Sequence, residues 1–192
     1  MYFKSKGAVE AYLREHPDLT HLDVGSSSGL MDLPALPNTL KELQLIDCRE
    51  LSDLPTLPSK LTYLQIESCP GLVSLPALPG RLKELRIFDC RGLTSLPALP
   101  SALKHLWVHN CYGLTSLPAL PGALTGLQVV TCPGLSSLPA LPGKLMFLRV
   151  EFCPGFTSLP ALPGRLTYLM VHNCLGLTSR RLAVRKLSIE FF

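Results

Sequence analysis

The stretch LKHLWVHNCYGLTSLPALPGA, residues 103–123, decides the fold, because its framework returns every 21 residues. Copies begin at Leu19, Leu40, Leu61, Leu82, Leu103, Leu124, Leu145 and Leu166, the last one shortened. Their shared pattern is L-x-x-L-x-[LVI]-x-x-C-x-x-[LF]-x-x-L-P-x-L-P-x-x. A fixed period of this length marks a repeat architecture, in which no unit can bury its apolar side chains alone and stacking buries them jointly.

Each part of the unit has a physical reading. L-x-x-L-x-L contains a short strand with period-two alternation, its Leu, Val and Ile facing inward. The Cys and the Gly that follows it (Gly71, Gly92, Gly113, Gly134, Gly155, Gly176) mark the turn out of the strand. Gly there suits a positive φ or a close backbone approach. In L-P-x-L-P two prolines three residues apart forbid an α-helix, so the return is expected to be extended and polyproline-II-like. After Ser179 that segment is replaced by RRLA, and VRKLSIEFF from Val184 reads as a ninth strand. Parallel strands roughly 4.8 Å apart would give a face on the order of 40 Å long, only gently curved because the return segments are slim.

The ends read as caps. Ala8, Val9, Tyr12 and Leu13 lie at helical spacing, and Pro17 would stop the helix. The expected organisation is a helical cap over residues 1–18, eight repeats over 19–183, and a final strand or C-terminal cap over 184–192. The apolar Phe191–Phe192 pair sits poorly with an exposed terminal coil.

L-x-x-L-x-[LV]-x-x-[NC]-x-x-L is the leucine-rich-repeat signature. The chain is therefore read as an α/β-type repeat solenoid: a leucine-rich-repeat horseshoe with a parallel sheet on the concave face and extended convex segments. The SLPALPG segments resemble those of the bacterial LPxLP-type effectors, the YopM, IpaH and SspH family. That resemblance implies a secreted virulence effector binding host proteins, in many members with a C-terminal ubiquitin-ligase domain. Two departures stand out: Cys replaces the family's usual Asn in a repeat one residue longer, and ligase activity is not expected of any residue of this sequence. Cys-containing LPxLP repeats also occur in plant immune receptors. Repeats as uniform as LTSLPALPG and LSSLPALPG also suit recent duplication or consensus design.

Composition narrows the classes. Of 192 residues 47% are hydrophobic, enough for a continuous core, and the net charge of +4 is small for a dedicated nucleic-acid binder. No apolar run reaches the length of a membrane span, and the N-terminus does not read as a Sec-type signal peptide. No P-loop, G-x-S-x-G or H-E-x-x-H motif is present, so an enzyme is not expected.

Cys48, Cys69, Cys90, Cys111, Cys132, Cys153 and Cys174 are each 21 residues from the next, with Ser27 in the equivalent place of the first repeat. They are read as a structural ladder of small buried side chains. Neighbouring coils would bring Cα atoms within disulfide range, about 5 Å, but parallel side chains keep the Cβ atoms too far apart. A straight row does not converge on zinc, and no base recurs beside the thiols. No metal and no cofactor are expected. Seven buried free thiols suit a reducing compartment: the cytoplasm, or a host cytosol reached by a dedicated secretion system.

Repeat positions three, five and seven should point out of the sheet on the concave side. They vary while the Leu, Cys and Pro columns do not. The expected partner-binding residues are Tyr63, Arg86, Phe88, His105, Trp107, His109, Phe147, Arg149, Tyr168, Met170 and His172, aromatic and Arg anchors of the kind found at binding hot spots. His105 and His109 lie too far apart along a strand, roughly 13 Å, to share an ion. Lys41, Lys60, Arg81, Lys83, Lys104, Lys144 and Arg165 should line the strand entrance, read first as a solvated edge, with a phosphate-rich partner or an anionic membrane as the alternative. Glu42, Glu67, Glu84 and Glu151 on the concave face argue against nucleic acid there. The expected function is protein binding through the concave face, possession of a host partner following from the resemblance, with a monomer as the expected state. Its rivals are the substrate-recognition part of a larger ubiquitin ligase and an engineered consensus scaffold with no natural partner.

Overall fold

The computed structural model describes residues 1–27 and 29–177. One helix, α1 (Lys6–Glu15), precedes eight strands: β1 (His21–Gly25), β2 (Glu42–Ile46), β3 (Tyr63–Glu67), β4 (Glu84–Phe88), β5 (His105–His109), β6 (Gly126–Val130), β7 (Phe147–Glu151) and β8 (Tyr168–His172). Every strand occupies positions three to seven of its repeat. The strands form one parallel sheet in sequence order, with neighbours paired residue for equivalent residue, as in His21 with Glu42 and Phe147 with Tyr168. The result is a leucine-rich-repeat-like solenoid of about 21-residue turns. The shortened end of the eighth repeat, the ninth strand and the Phe191–Phe192 cap lie outside the described residues.

The alternation that the sequence carries sets the sheet's two sides. In β2 to β5 the second and fourth residues are buried and the others half-buried. Behind them the Leu columns close the core: Leu103, Leu106 and Leu114 of one coil are fully buried, as are Leu61, Leu64 and Leu72 of another. Each such side chain contributes roughly 1.5–3 kcal/mol by leaving water. Two turns complete each coil. In the fifth, Leu114 N donates to Cys111 O at 3.2 Å, and Leu124 N donates to Pro121 O at 3.0 Å after the second proline. Among the described residues the L-P-x-L-P segments between the turns carry neither helix nor continuous strand, and just before two of them Ser137 and Ser158 form an isolated bridge.

The turn out of each strand divides two tasks that the repeat pattern lets Gly perform either way. Positive φ, found also at Gly29 in the first coil, recurs at position eight, one residue before the Cys or its Ser27 equivalent, at Ser26, Asp47, Ser68, Asp89, Asn110, Thr131, Phe152 and Asn173. There the N–H is turned toward the next coil, as Asp89 N to His109 O at 3.0 Å. From the third coil onward the repeated Gly serves the close approach instead: a Cβ on Gly92 would sit 2.4 Å from Pro70 O, and one on Gly113 2.9 Å from Arg91 O.

At the N-terminal end, Ser5 caps α1 by accepting from Ala8 N at 3.3 Å. Val9 is buried and Tyr12 and Leu13 pack against the core, whereas Ala8 faces solvent. Phe3 is buried too, its ring 5.6 Å from that of Tyr12. Residues 1–3 run along the free edge of β1, where Gly25 N donates to Met1 O at 2.6 Å.

Candidate concave binding surface

In-phase pairing places equivalent residues side by side, so each concave column is a row of cross-strand neighbours. Position five puts Arg86 of β4 directly beside Trp107 of β5. The guanidinium lies 4.0 Å from the indole ring centre and 5.4 Å from the Tyr63 ring in β3. Glu84, two residues back on the same strand face, accepts from Arg86 Nε at 2.6 Å and so fixes the cation over the ring. Tyr63 in turn donates to Gln65, and Gln65 Nε2 donates to Glu67 Oε2 at 2.9 Å. The Tyr63–Gln65–Glu67 chain joins positions three, five and seven of one strand, and Glu84–Arg86 joins positions three and five of the next.

Position seven brings Phe88 and His109 together at 4.8 Å, and His109 Nε2 meets Gln128 Oε1 at 3.1 Å. Burial lowers the His109 pKa below its ordinary value, which favours the neutral ring. Farther along, Phe147 and Tyr168 stack at 4.5 Å with planes 2° apart, and the Tyr168 hydroxyl lies 3.4 Å from Met170 Sδ. The expected aromatic residues thus fall into three groups: Tyr63–Arg86–Trp107, Phe88–His109 and Phe147–Tyr168–Met170.

The remaining candidates stand apart from these groups. His105 leans over Gly126, its Nδ1 only 2.8 Å from where a Cβ would stand. Arg149 pairs with Glu151 at 2.6 Å; Glu151 is only 4% exposed, although its position predicts an outward side chain. Arg149 Nε is buried without a hydrogen-bond partner. His172 meets the exposed Phe152 ring edge-on at 5.3 Å. Glu84, Gln65 and Gln128 hold these groups in place, yet the sequence marks Glu84 only as a concave acid and the two Gln not at all. Only the spacing of two along a strand, or the in-phase neighbour, would have pointed to them.

Both concave arginines are neutralised within the face, leaving Asp23, Glu42 and Glu67 as its excess charge. Glu42 lies 3.2 Å from His21 Nε2. Among the described residues no three His, Cys, Asp or Glu side chains are grouped to hold a metal ion. The seven cysteines are all free and buried. Interior thiols point at carbonyls: Cys111 Sγ lies 3.4 Å from His109 O and 3.9 Å from Ile87 O of the preceding coil. Burial pushes the Cys90 and Cys132 thiols up to about 11, leaving them protonated and poor nucleophiles at neutral pH.

No family model matches the chain, and no curated protein does. Among solved structures it is similar to YopM from Yersinia enterocolitica WA-314, at 24% identity and a TM-score of 0.43, over 91% of this chain and 42% of that one. It is also similar to CroV588, a circular LRR protein, at 23% identity and a TM-score of 0.41, over 82% of this chain and 31% of that one. The chain therefore spans less than half the length of either. No helix of the described residues is long and apolar enough to cross a membrane.

Proposed function

We propose that this chain is a non-enzymatic protein-interaction module that binds a protein partner across the concave face between Tyr63 and Tyr168. The observation that carries this reading is the Tyr63–Arg86–Trp107 stack, locked by Glu84 on a rigid sheet. Arg and aromatic side chains held in place before binding lose little rotamer freedom on association, which is how hot spots reach high affinity. The Phe147–Tyr168 pair extends the platform by three strands.

An effector role, acting on a host protein in a reducing cytosol, rests on the LPxLP resemblance together with the free thiols. The test is capture from a eukaryotic lysate with wild type and with a Trp107→Ala, Tyr168→Ala double variant, read by mass spectrometry. A protein held by wild type and lost by the variant is the expected result. Equal capture by both would remove the concave face as the binding surface.

A further inference from the structure

The strand entrance carries a charge pattern that concave binding does not use. Lys41, Lys60, Arg81, Lys83 and Lys104 are exposed, cross four successive coils and join no ion pair among the described residues. The acids next to Lys41 and Lys83 are engaged elsewhere. Glu42 meets His21 at 3.2 Å and Glu84 meets Arg86 at 2.6 Å, both on the concave side. Like charges about 5 Å apart per coil repel one another, and the row lies well within one screening length of itself.

In-phase pairing also aligns the row. Because no strand is shifted against its neighbour, the residues just before each strand line up in columns along one side of the solenoid. The backbone beneath is fixed: Lys41 O accepts from Thr62 N at 2.7 Å, and Lys83 O from Lys104 N at 2.7 Å. Farther along the same side Lys144 and Arg165 flank Met146, an apolar residue 47% exposed in the column that elsewhere holds Lys41, Lys83 and Lys104. Ala102, Ala123 and Thr125 interrupt the cations between the two groups.

We propose that this side docks on an anionic lipid bilayer, with the cations at the headgroups and Met146 entering the interface. Laterally mobile lipids tolerate the interruption, whereas a nucleic-acid strand offers phosphates at fixed spacing and gains most from aromatic stacking, which this side lacks. An apolar side chain among cations adds the second signal that surface anchoring needs. The concave face stays free for its own partner in this orientation.

Flotation with phosphatidylserine–phosphatidylcholine vesicles and with phosphatidylcholine vesicles tests the proposal. Wild type should float with the anionic vesicles only and be released as salt rises from about 0.1 to about 0.5 M. Each Lys or Arg replaced by Gln among the five should weaken binding by roughly fivefold. Met146→Ser should weaken it less, and Trp107→Ala, which tests the concave site alone, should leave it unchanged. All seven positions involved are exposed or half-buried, and circular dichroism checks that the variants stay folded. No flotation at low salt, or full flotation of the five-site Gln variant, would overturn the proposal. So would retention on heparin by a protein that floats with neither vesicle, which would assign the row to a soluble polyanion.

Discussion

The first coil and the interior coils solve the same position with different atoms. In the fifth coil the Cys111 thiol, a weak donor, points at two carbonyls, one from its own strand and one from the coil before, with the Cys90 N–H of that coil also beside it. The first coil has residues 1–3 on that side instead. There Phe3 N donates to Ser27 Oγ at 3.0 Å, while Ser27 Oγ donates to Gly25 O at 3.1 Å. A hydroxyl can accept and donate at once, and a thiol accepts poorly. What differs is the strength of the amide contact: Ser27 takes a full hydrogen bond from Phe3 N, whereas the interior thiols bond chiefly through S–H to carbonyls.

The contrast can be broken first at the glycines, where the largest effect is expected. Gly92→Ala would press a methyl against Pro70 O, whereas Gly80 has nothing within 4 Å of an added Cβ. Gly92→Ala should destabilise by about 1–3 kcal/mol and Gly80→Ala by far less, read as urea midpoints. Equal midpoints would mean that the coils separate readily enough to make the close approach unimportant. Next comes position nine itself. Ser27→Ala leaves the buried Phe3 N–H without its acceptor and should cost about 1–3 kcal/mol. Cys111→Ala loses weaker bonds and one heavy atom, and should cost about 1 kcal/mol. The reverse order would show that the N-terminal segment contributes little to the first coil.

Titration sharpens the same comparison at smaller scale. Cys90 and Cys132 are raised from 9.0 to about 11, so the folded state keeps protons that the unfolded chain releases. Their stabilisation is complete below the unfolded value and is lost as pH rises through the window from 9.0 to about 11. By pH 10 the loss should be about 1 kcal/mol per thiol. A denaturation series across that window in wild type and a Cys90→Ala, Cys132→Ala variant measures it, with the variant expected to show the shallower decline. Ser27 does not titrate and adds nothing to the slope.

Much of this architecture is legible because one pattern is written eight times. The strand limits, the buried Leu columns and the outward positions three, five and seven all follow from the 21-residue period and the alternation of a strand. What the period hides is whatever differs between coils or lies across them. Position eight adopts positive φ at Thr131 and Phe152 as readily as at Asp47, so residue type there does not advertise the backbone. Glu151 sits at an outward position yet is buried, because Arg149 and its surroundings close over it. Residues 1–3 carry no periodicity at all, and their pairing with β1 depends on an edge that only stacking creates. Trp107 stands out in the sequence, but its pairing with Arg86 is a consequence of register between coils.

Strand pairing without stagger has a consequence for descent. Removing or duplicating a whole number of turns leaves every remaining neighbour pair as it was, so unequal recombination within such a gene yields chains that still stack. The length of the arc, and with it the span of any partner it can embrace, is then a heritable variable that changes in steps of one turn without passing through a misfolded intermediate length.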